Sequence, residues 1–507
     1  LNALVKRRHF IIALVAAALV AVLVVRGDGG FPLDDSWIHQ AYGRNLGERG
    51  EWALVAGQPS AASTAPLYTV LLAVGYALRI PYLLWTHTLG TLALIGIGWA
   101  GAGLVAAFIP QRHGVNLWIG LLLVTEWHLG WAAAAGMETA LFALWTLVLP
   151  LLTWQEITQD RPNYVLARGF GLGVIAGCAT LTRPEGSLMV GLCALLWLVM
   201  KGRHTPRTQW QYALGVSLGF IVLVAPYTAL NWQLTGGLLP NTSAAKQIQH
   251  APLLSLPLTT RLWMMLQPTL VGGQALLIPG MAVLLWRVRQ RREFGLALIL
   301  LTWSLGLVTL YALRLPASYQ HGRYVIPAIP ALIVLGGVGS VWLLELARRT
   351  LGGRVLSRGL MIAATLIFVV LAIVTLPNVY AQDVSVIQQE MVASARWIDA
   401  YIPLDELLAI HDIGAVAYFT PRPLLDIAGL VSPEVIPLLN DPKAVWDLME
   451  ARGAVYLMAF PDQVPGDDPT DPRLCSIFIT NGEAAPRLGG ANMSIYRLAW
   501  SGSCGGS

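Results

Sequence analysis

Charge is what this chain has least of. Only 12% of its 507 residues are Asp, Glu, Lys or Arg, while 56% are hydrophobic; an ordinary soluble domain carries about a quarter charged residues. The scarce charges cluster between apolar runs of roughly 17–25 residues, the length that crosses a hydrocarbon core. Burial in a soluble core cannot account for so many such runs, so a water-soluble globule is excluded. Cysteine is equally sparse, at four residues, and no His/Cys cluster has the spacing of a zinc site. Tandem repeats and low-complexity segments are absent. The isoelectric point near 9.0 does not mark a nucleic-acid binder, because the basic residues sit in short loops between apolar segments, the signature of membrane orientation.

Those apolar segments are 9–25, 83–109, 115–134, 138–154, 169–181, 187–200, 211–230, 270–286, 294–313, 325–346 and 359–377. A further stretch, Pro66 to Leu78, is too short to cross upright: about 13 helical residues reach only ~20 Å. If it does not cross, one side of the membrane receives Lys6-Arg7-Arg8, Arg112, Arg161 with Arg168, Lys201-Arg203-Arg207, Arg287-Arg289-Arg291-Arg292 and Arg348-Arg349-Arg354-Arg358. If it does, every cluster from Arg112 onward moves to the opposite face, against the positive-inside rule. The expectation is therefore about eleven spans, the N-terminus cytoplasmic and the C-terminus exterior, with a first outer loop over 26–82. The first apolar run follows Lys6-Arg7-Arg8 without a clear small-residue cleavage site and reads as a retained signal anchor.

Beyond residue 378 the apolar runs shorten to strand length, as at Leu407–Ile410, Val455–Ala459, Ser476–Ile479 and Ser494–Leu498. Helical patterning fits 386–401 and 442–452. The sequence thus predicts a membrane domain over 1–380 and a small α/β domain over 381–507. Cys178 and Cys193 lie in apolar helices as packing residues. Cys475 and Cys504 fall in the C-terminal domain, where an oxidising compartment would permit them to pair.

Polar residues at the predicted outer face fall into four groups. Phe31-Pro32-Leu33-Asp34-Asp35-Ser36-Trp37-Ile38-His39 opens the first loop and continues through Tyr42. Asp34 and Asp35 read either as a solvated helix start or as a carboxylate pair in which mutual repulsion raises one pKa toward a useful base. Gly136-Met137-Glu138-Thr139 places a carboxylate at the edge of an apolar helix, where it is costly unless partnered or functional. Glu126 and His128 sit deeper in the preceding span and read as lining a cavity. In Leu181-Thr182-Arg183-Pro184-Glu185-Gly186 the two charges can neutralise each other. Leu239-Pro240-Asn241-Thr242 with Lys246, and Gln320-His321-Gly322-Arg323-Tyr324, supply cations suited either to snorkelling or to a lipid phosphate.

In this order and spacing, these segments, together with Tyr42-Gly43-Arg44-Asn45-Leu46 and Ser63-Thr64-Ala65-Pro66-Leu67-Tyr68, resemble the membrane glycosyltransferases of the GT-C fold. The likeness covers about residues 1–380 and is greatest to the terminal arabinofuranosyltransferases, with protein mannosyltransferases and the aminoarabinose transferase further off. The resemblance implies a polytopic α-helical membrane protein with juxtamembrane helices, Pro66–Leu78 among them. It implies catalytic roles for Asp34, with Asp35 as the alternative base, and for Glu138. Arg183, Lys246, His321 and Arg323 become expected ligands of the donor phosphate, and His39, Tyr42 and Tyr324 expected pocket residues. His411-Asp412-Ile413-Gly414-Ala415 and Leu425-Asp426-Ile427-Ala428-Gly429-Leu430 resemble recurrent segments of related exterior domains.

The activity so implied is an inverting transfer of a sugar from a polyprenyl-phosphate donor to a glycan, lipid or protein acceptor at the outer face of a bacterial-type inner membrane. A divalent cation (Mg or Mn) is an optional cofactor, with Asp34 and Glu138 as its expected ligands; nucleic acid is no partner. Two other readings are a transporter or flippase of lipid-linked precursors and a non-catalytic subunit of the same fold. No duplicated halves support the transporter, and the intact acidic pair disfavours the subunit.

Overall fold

The computed structural model describes residues 2–110, 112–159, 163–200, 205–237, 242–501 and 504. Arg161, Lys201, Arg203 and the Leu239-Pro240-Asn241 segment lie outside the described residues. The chain divides into two compact units, the first comprising Leu1–Leu23, His87–Tyr227 and Leu253–Pro377, the second Val24–Thr86, Thr228–Pro252 and Asn378–Ser507. The unit that holds the C-terminal segment thus also takes in the first loop and a short excursion near residue 240.

Among the described residues, eight helices are long and apolar enough to cross a membrane: Val5–Arg26, Tyr82–Phe108, Thr139–Thr158, Val165–Thr182, Pro206–Thr235, Glu293–Arg314, Tyr319–Arg349 and Leu351–Tyr401. Two further spans are broken, His113–Val124 with Trp127–Ala134 at 57° and Leu258–Thr269 with Gly273–Val288 at 92°. The segment predicted as one span at 115–134 is therefore a bent pair, and the span predicted at 270–286 is the second arm of a bent pair that begins at Leu258. The remaining expected span, 187–200, corresponds to Gly186–Met200 with 15 residues. At 1.5 Å per residue it reaches ~22 Å, short of a ~30 Å hydrocarbon core. Among the described residues the count is accordingly up to ten rather than eleven.

In the first unit, helices pack around Phe142, Met189, Trp303, Leu307, Tyr311 and Tyr324, all buried. The break between His113–Val124 and Trp127–Ala134 has a specific cause. Glu126, extended at φ −68 and ψ 121, caps the second helix by accepting from the Leu129 N–H. Its other oxygen accepts from Gln274 Nε2 at 2.8 Å and meets His128 Nδ1 at 2.7 Å. Glu126 and His128, expected to line a cavity, instead form a buried, hydrogen-bonded junction, because a helix end inside an apolar unit must find partners for its N–H groups.

The second unit is built on a five-stranded sheet ordered Leu424–Asp426, Leu408–Ile410, Tyr456–Ala459, Ser494–Leu498, Leu474–Ile479. The first three strands are parallel, and Ser494–Leu498 runs antiparallel to both its neighbours. Alternation along the strands sends side chains to two faces. Ala409, Leu457, Ala459 and Tyr496 pack with Val445, Trp446 and Met449 of the helix Pro442–Ala451. Leu408, Ile410, Met458 and Ile495 share the other core with Trp37, Ile38 and Tyr42 of the helix Asp34–Arg49. Cys475 and Cys504 form a disulfide with Cα atoms 5.6 Å apart.

The helix Pro66–Ala77 packs on Asp34–Arg49 at very close range. A Cβ on Gly47 would stand 2.4 Å from the Ala73 carbonyl oxygen, and one on Gly43 would stand 2.8 Å from Leu72 Cβ. Gly47→Ala is expected to cost about 1–3 kcal/mol through overpacking, and Trp37→Ala about 3–5 kcal/mol through loss of a buried ring. Thermal melts of the detergent-solubilised chain should show both losses, with the exposed Leu488→Ala unchanged.

Candidate active site

Asp34 and Asp35 are the first two residues of their helix, following an extended Leu33 at φ −142 and ψ 140. Acidic residues suit this position, where N–H groups lack helical partners. Asp34, however, turns its buried carboxylate to another segment. Its Oδ2 accepts from the Gly414 N–H at 2.7 Å and its Oδ1 from the Ala415 N–H at 2.8 Å. Gly414 is required for this approach, since a Cβ there would lie 2.1 Å from the Asp34 carbonyl oxygen and 2.8 Å from Oδ2. Farther along the same helix, Arg44 donates to the carbonyls of Tyr418 at 2.8 Å and Ala417 at 3.4 Å, and its guanidinium lies over the Tyr418 ring at 4.7 Å. One helix thus holds both ends of the short helix Gly414–Phe419.

Burial raises the Asp34 pKa to about 7, reinforced by the Asp412 and Asp35 carboxylates, with the Ala415 and Gly414 amides opposing. Two of its four lone-pair sites remain for a further hydrogen. Asp35 is more exposed and accepts from Lys246 Nζ at 3.3 Å. Lys246 belongs to the helix Thr242–Gln249, where Gln249, three residues on and on the same face, contacts His411 through Nε2 at 3.0 Å. Asp412 Oδ2 accepts from Gln463 at 2.9 Å, and its Oδ1 stands 3.5 Å from His411 Nδ1. Burial alone would lower the His411 pKa; Asp412, Asp426 and Asp462 together turn the shift upward. Asp426, lifted to about 6 by burial, accepts from the amides of Ala428 and Val431 at 2.9 and 2.7 Å.

Of the expected pocket residues in this unit, His39 is buried and meets Tyr68 edge-on at 5.4 Å. Tyr42 is corrected to a core role. It is fully buried, and its hydroxyl is 2.6 Å from Ser60 Oγ while accepting from the Ala62 N–H at 3.1 Å. A substrate contact would have to break those bonds.

The other expected residues belong to the first unit. Arg183 Nη1 donates to Glu138 Oε1 at 2.9 Å, Nη2 to the Tyr311 hydroxyl at 2.6 Å, and Nε and Nη2 lie 3.4 Å from the Glu185 oxygens. Tyr311 in turn donates to Glu185 and stacks on Tyr324, with centroids 5.0 Å apart. Expected on the donor phosphate, Arg183 is thus engaged by two carboxylates and a phenol, and so reads as the group that holds Glu138. Arg323 is buried, donates to the Tyr324 hydroxyl at 3.2 Å, and lies over the Tyr324 and Tyr319 rings at 5.0 and 5.8 Å. His321, left-handed at φ 59, meets Trp127 and Trp131 edge-on at 5.3 and 5.2 Å.

Among the described residues no three His, Cys, Asp or Glu side chains are grouped to hold a metal. Asp34 faces amide hydrogens, and Glu138 faces a guanidinium. The residues missed by sequence reasoning are Asp412, the Gly414 and Ala415 amides, Gln249 and Tyr311; the recurrent-looking 411–415 segment was their one visible signal. Arg183→Ala is expected to destabilise the chain by about 3–5 kcal/mol, because it leaves Glu138 and Glu185 buried without their cation. Arg183→Lys should recover part of that loss in a thermal melt.

Residues 378–496 match a family described as a domain of unknown function (DUF8728). The chain is 24% identical over 355 residues to a terminal β-(1→2)-arabinofuranosyltransferase of Corynebacterium glutamicum, covering 62% of this chain and 48% of that protein; it therefore spans about half the length of that relative. Among solved structures, ArnT from Cupriavidus metallidurans bound to undecaprenyl phosphate superposes with a TM-score of 0.62 at 15% identity, covering 97% of this chain and 99% of that one. The oligosaccharyltransferase AglB from Archaeoglobus fulgidus, in complex with an inhibitory peptide and a dolichol-phosphate, gives 0.57 at 11% identity, covering 98% and 75%. The fold of this multi-pass membrane chain is that of the GT-C glycosyltransferases.

Proposed function

We propose that the chain is a glycosyltransferase that moves a sugar from a polyprenyl-phosphate donor to an acceptor hydroxyl, inverting the anomeric carbon. The observation that carries this reading is Asp34: a buried carboxylate, fixed through both oxygens and titrating near neutrality. Those are the properties of a general base working near pH 7. The lipid phosphates named with the structures of ArnT and AglB support the donor class. In the proposed step Asp34 takes the acceptor proton as the acceptor oxygen bonds to the anomeric carbon. The bond from that carbon to phosphate oxygen breaks, and polyprenyl phosphate leaves with the electron pair. Lys246, in the same unit as Asp34, is the proposed group that stabilises the leaving phosphate. In the first unit, Arg183 orients Glu138.

The second unit is assigned to the exterior of the cell membrane and the N-terminus to the cytoplasm. The basic clusters and the Cys475–Cys504 disulfide, which suits an oxidising compartment, support that assignment. Impermeant thiol labelling of intact cells, before and after reduction, should reach Cys475 only in the reduced sample. Labelling that requires cell lysis would reverse the orientation.

The two broken spans favour a second reading, transport of a lipid-linked precursor, since transporters use interrupted helices. Against it, Glu126 at one break is committed to His128, Gln274 and Leu129. Lipid flipping by purified protein in vesicles, without turnover, would establish that reading instead.

Asp34→Asn is expected to lower transfer from a polyprenyl-phosphate sugar at least 100-fold, within the range of general-base losses, with membrane insertion intact. In the parent, kcat/KM should rise with pH through about 7, as Asp34 ionises. His411→Gln should keep that limb, separating the two groups. Stability runs the other way. A carboxyl lifted from its unfolded value near 3.9 binds more protons when folded, so its contribution is full below about 4 and is lost as pH rises through 7. Full activity in both Asp34→Asn and Asp35→Asn would defeat the assignment.

A further inference from the structure

The segment His411–Ala415 is singled out by its sequence yet has no part in the chemistry above. In the fold it meets the first loop at one place. Gly414 and Ala415 present consecutive N–H groups to the two oxygens of one carboxylate, at 2.7 and 2.8 Å. Such a two-point hold fixes both the position of the Asp34 carboxyl and the rotation of its plane, which a single bond would leave free. Gly414 is buried, and its missing side chain is what lets the Asp34 main chain come close. Asp412, two residues earlier, is itself held by Gln463 at 2.9 Å and stands beside His411. Arg44 binds the far end of the same short helix, so the hold cannot slide along it.

We propose that Gly414, Ala415 and Asp412 of the C-terminal segment are positioning residues for the Asp34 base, so that this segment is a working part of the catalytic apparatus and not an attached module. The proposal rests on the reading of Asp34 as base. The amides set its geometry, and the neighbouring Asp412 charge disfavours its ionised form. The charged groups that bear on Asp34 are Asp412 on the C-terminal segment and Asp35 on its own helix; Lys246 on Thr242–Gln249 faces Asp35, and His411 faces Asp412.

The test uses the full-length chain, a polyprenyl-phosphate sugar that the parent turns over, and three variants. Gly414→Ala should lower kcat about 100-fold, the loss typical of a 1 Å misplacement, with the donor KM within about twofold. Asp412→Asn should keep most of the rate and move the rising limb of kcat/KM to lower pH, because it removes a like charge. Gly414→Ala combined with Asp34→Asn should be no slower than Asp34→Asn alone, as for residues acting as one unit. Gly359→Ala, where a Cβ meets nothing within 4 Å and the backbone is ordinary helix, controls for glycine replacement. The proposal is overturned if Gly414→Ala keeps the parent kcat, or if the Asp412→Asn limb stays in place and the double variant loses the product of the two single losses. An active Asp34→Asn would instead defeat the parent reading, which keeps the two failures apart.

Discussion

The contact on which the second unit depends is a carboxylate taken out of water and given two backbone N–H groups in return. Burying a lone carboxylate is costly enough that it usually protonates or finds partners. Asp34 does some of each: the amides favour its charge, while burial and Asp412 oppose it, and the balance falls near neutrality. The same contact ties the first loop to a strand-and-helix segment 380 residues later in sequence. Because the helix Asp34–Arg49 also supplies Trp37, Ile38 and Tyr42 to one face of the sheet, the carboxyl is set by a packed core on both sides. A site on rigid elements keeps its geometry better than one on a mobile loop.

The first unit handles its buried charge differently. Arg183 is shared among Glu138, Glu185 and Tyr311, and the aromatic pair Tyr311–Tyr324 carries the network on to Arg323. Two carboxylates facing one guanidinium leave little of Arg183 for an anionic ligand. Arg323, whose guanidinium lies over aromatic rings, keeps a cation's chemistry in an otherwise apolar setting. Of the cations chosen from sequence, these two therefore divide into one held by carboxylates and one held by aromatic side chains.

A helix interrupted inside an apolar unit must satisfy the N–H groups it exposes. Glu126 does so at the break before Trp127–Ala134. In the sequence Glu126 and His128 read as polar residues in want of a function. Their bonding to one another and to Gln274 supplies a structural reason for their presence. Polar residues within a membrane segment raise a functional hypothesis by default, and here the geometry answers it with a helix cap.

Much of the architecture was already legible in the linear pattern. Apolar length alone located the spans, and the fall in run length after residue 378 located the sheet, because crossing a bilayer and filling a strand require different numbers of residues. The order of Asp34-Asp35, Glu138, Arg183 and Arg323 also carried the resemblance to the GT-C fold. The bends at Glu126 and before Gly273 were invisible, since hydropathy counts residues and not angles. The engagement of Arg183 and the core role of Tyr42 were equally hidden, because a side chain's partners come from elements far apart in the chain. What only the tertiary structure decided was which of two adjacent aspartates is buried and held. Asp34 and Asp35 are the same residue type one position apart, and 100° of helical turn sends one to the Gly414 and Ala415 amides and the other to Lys246.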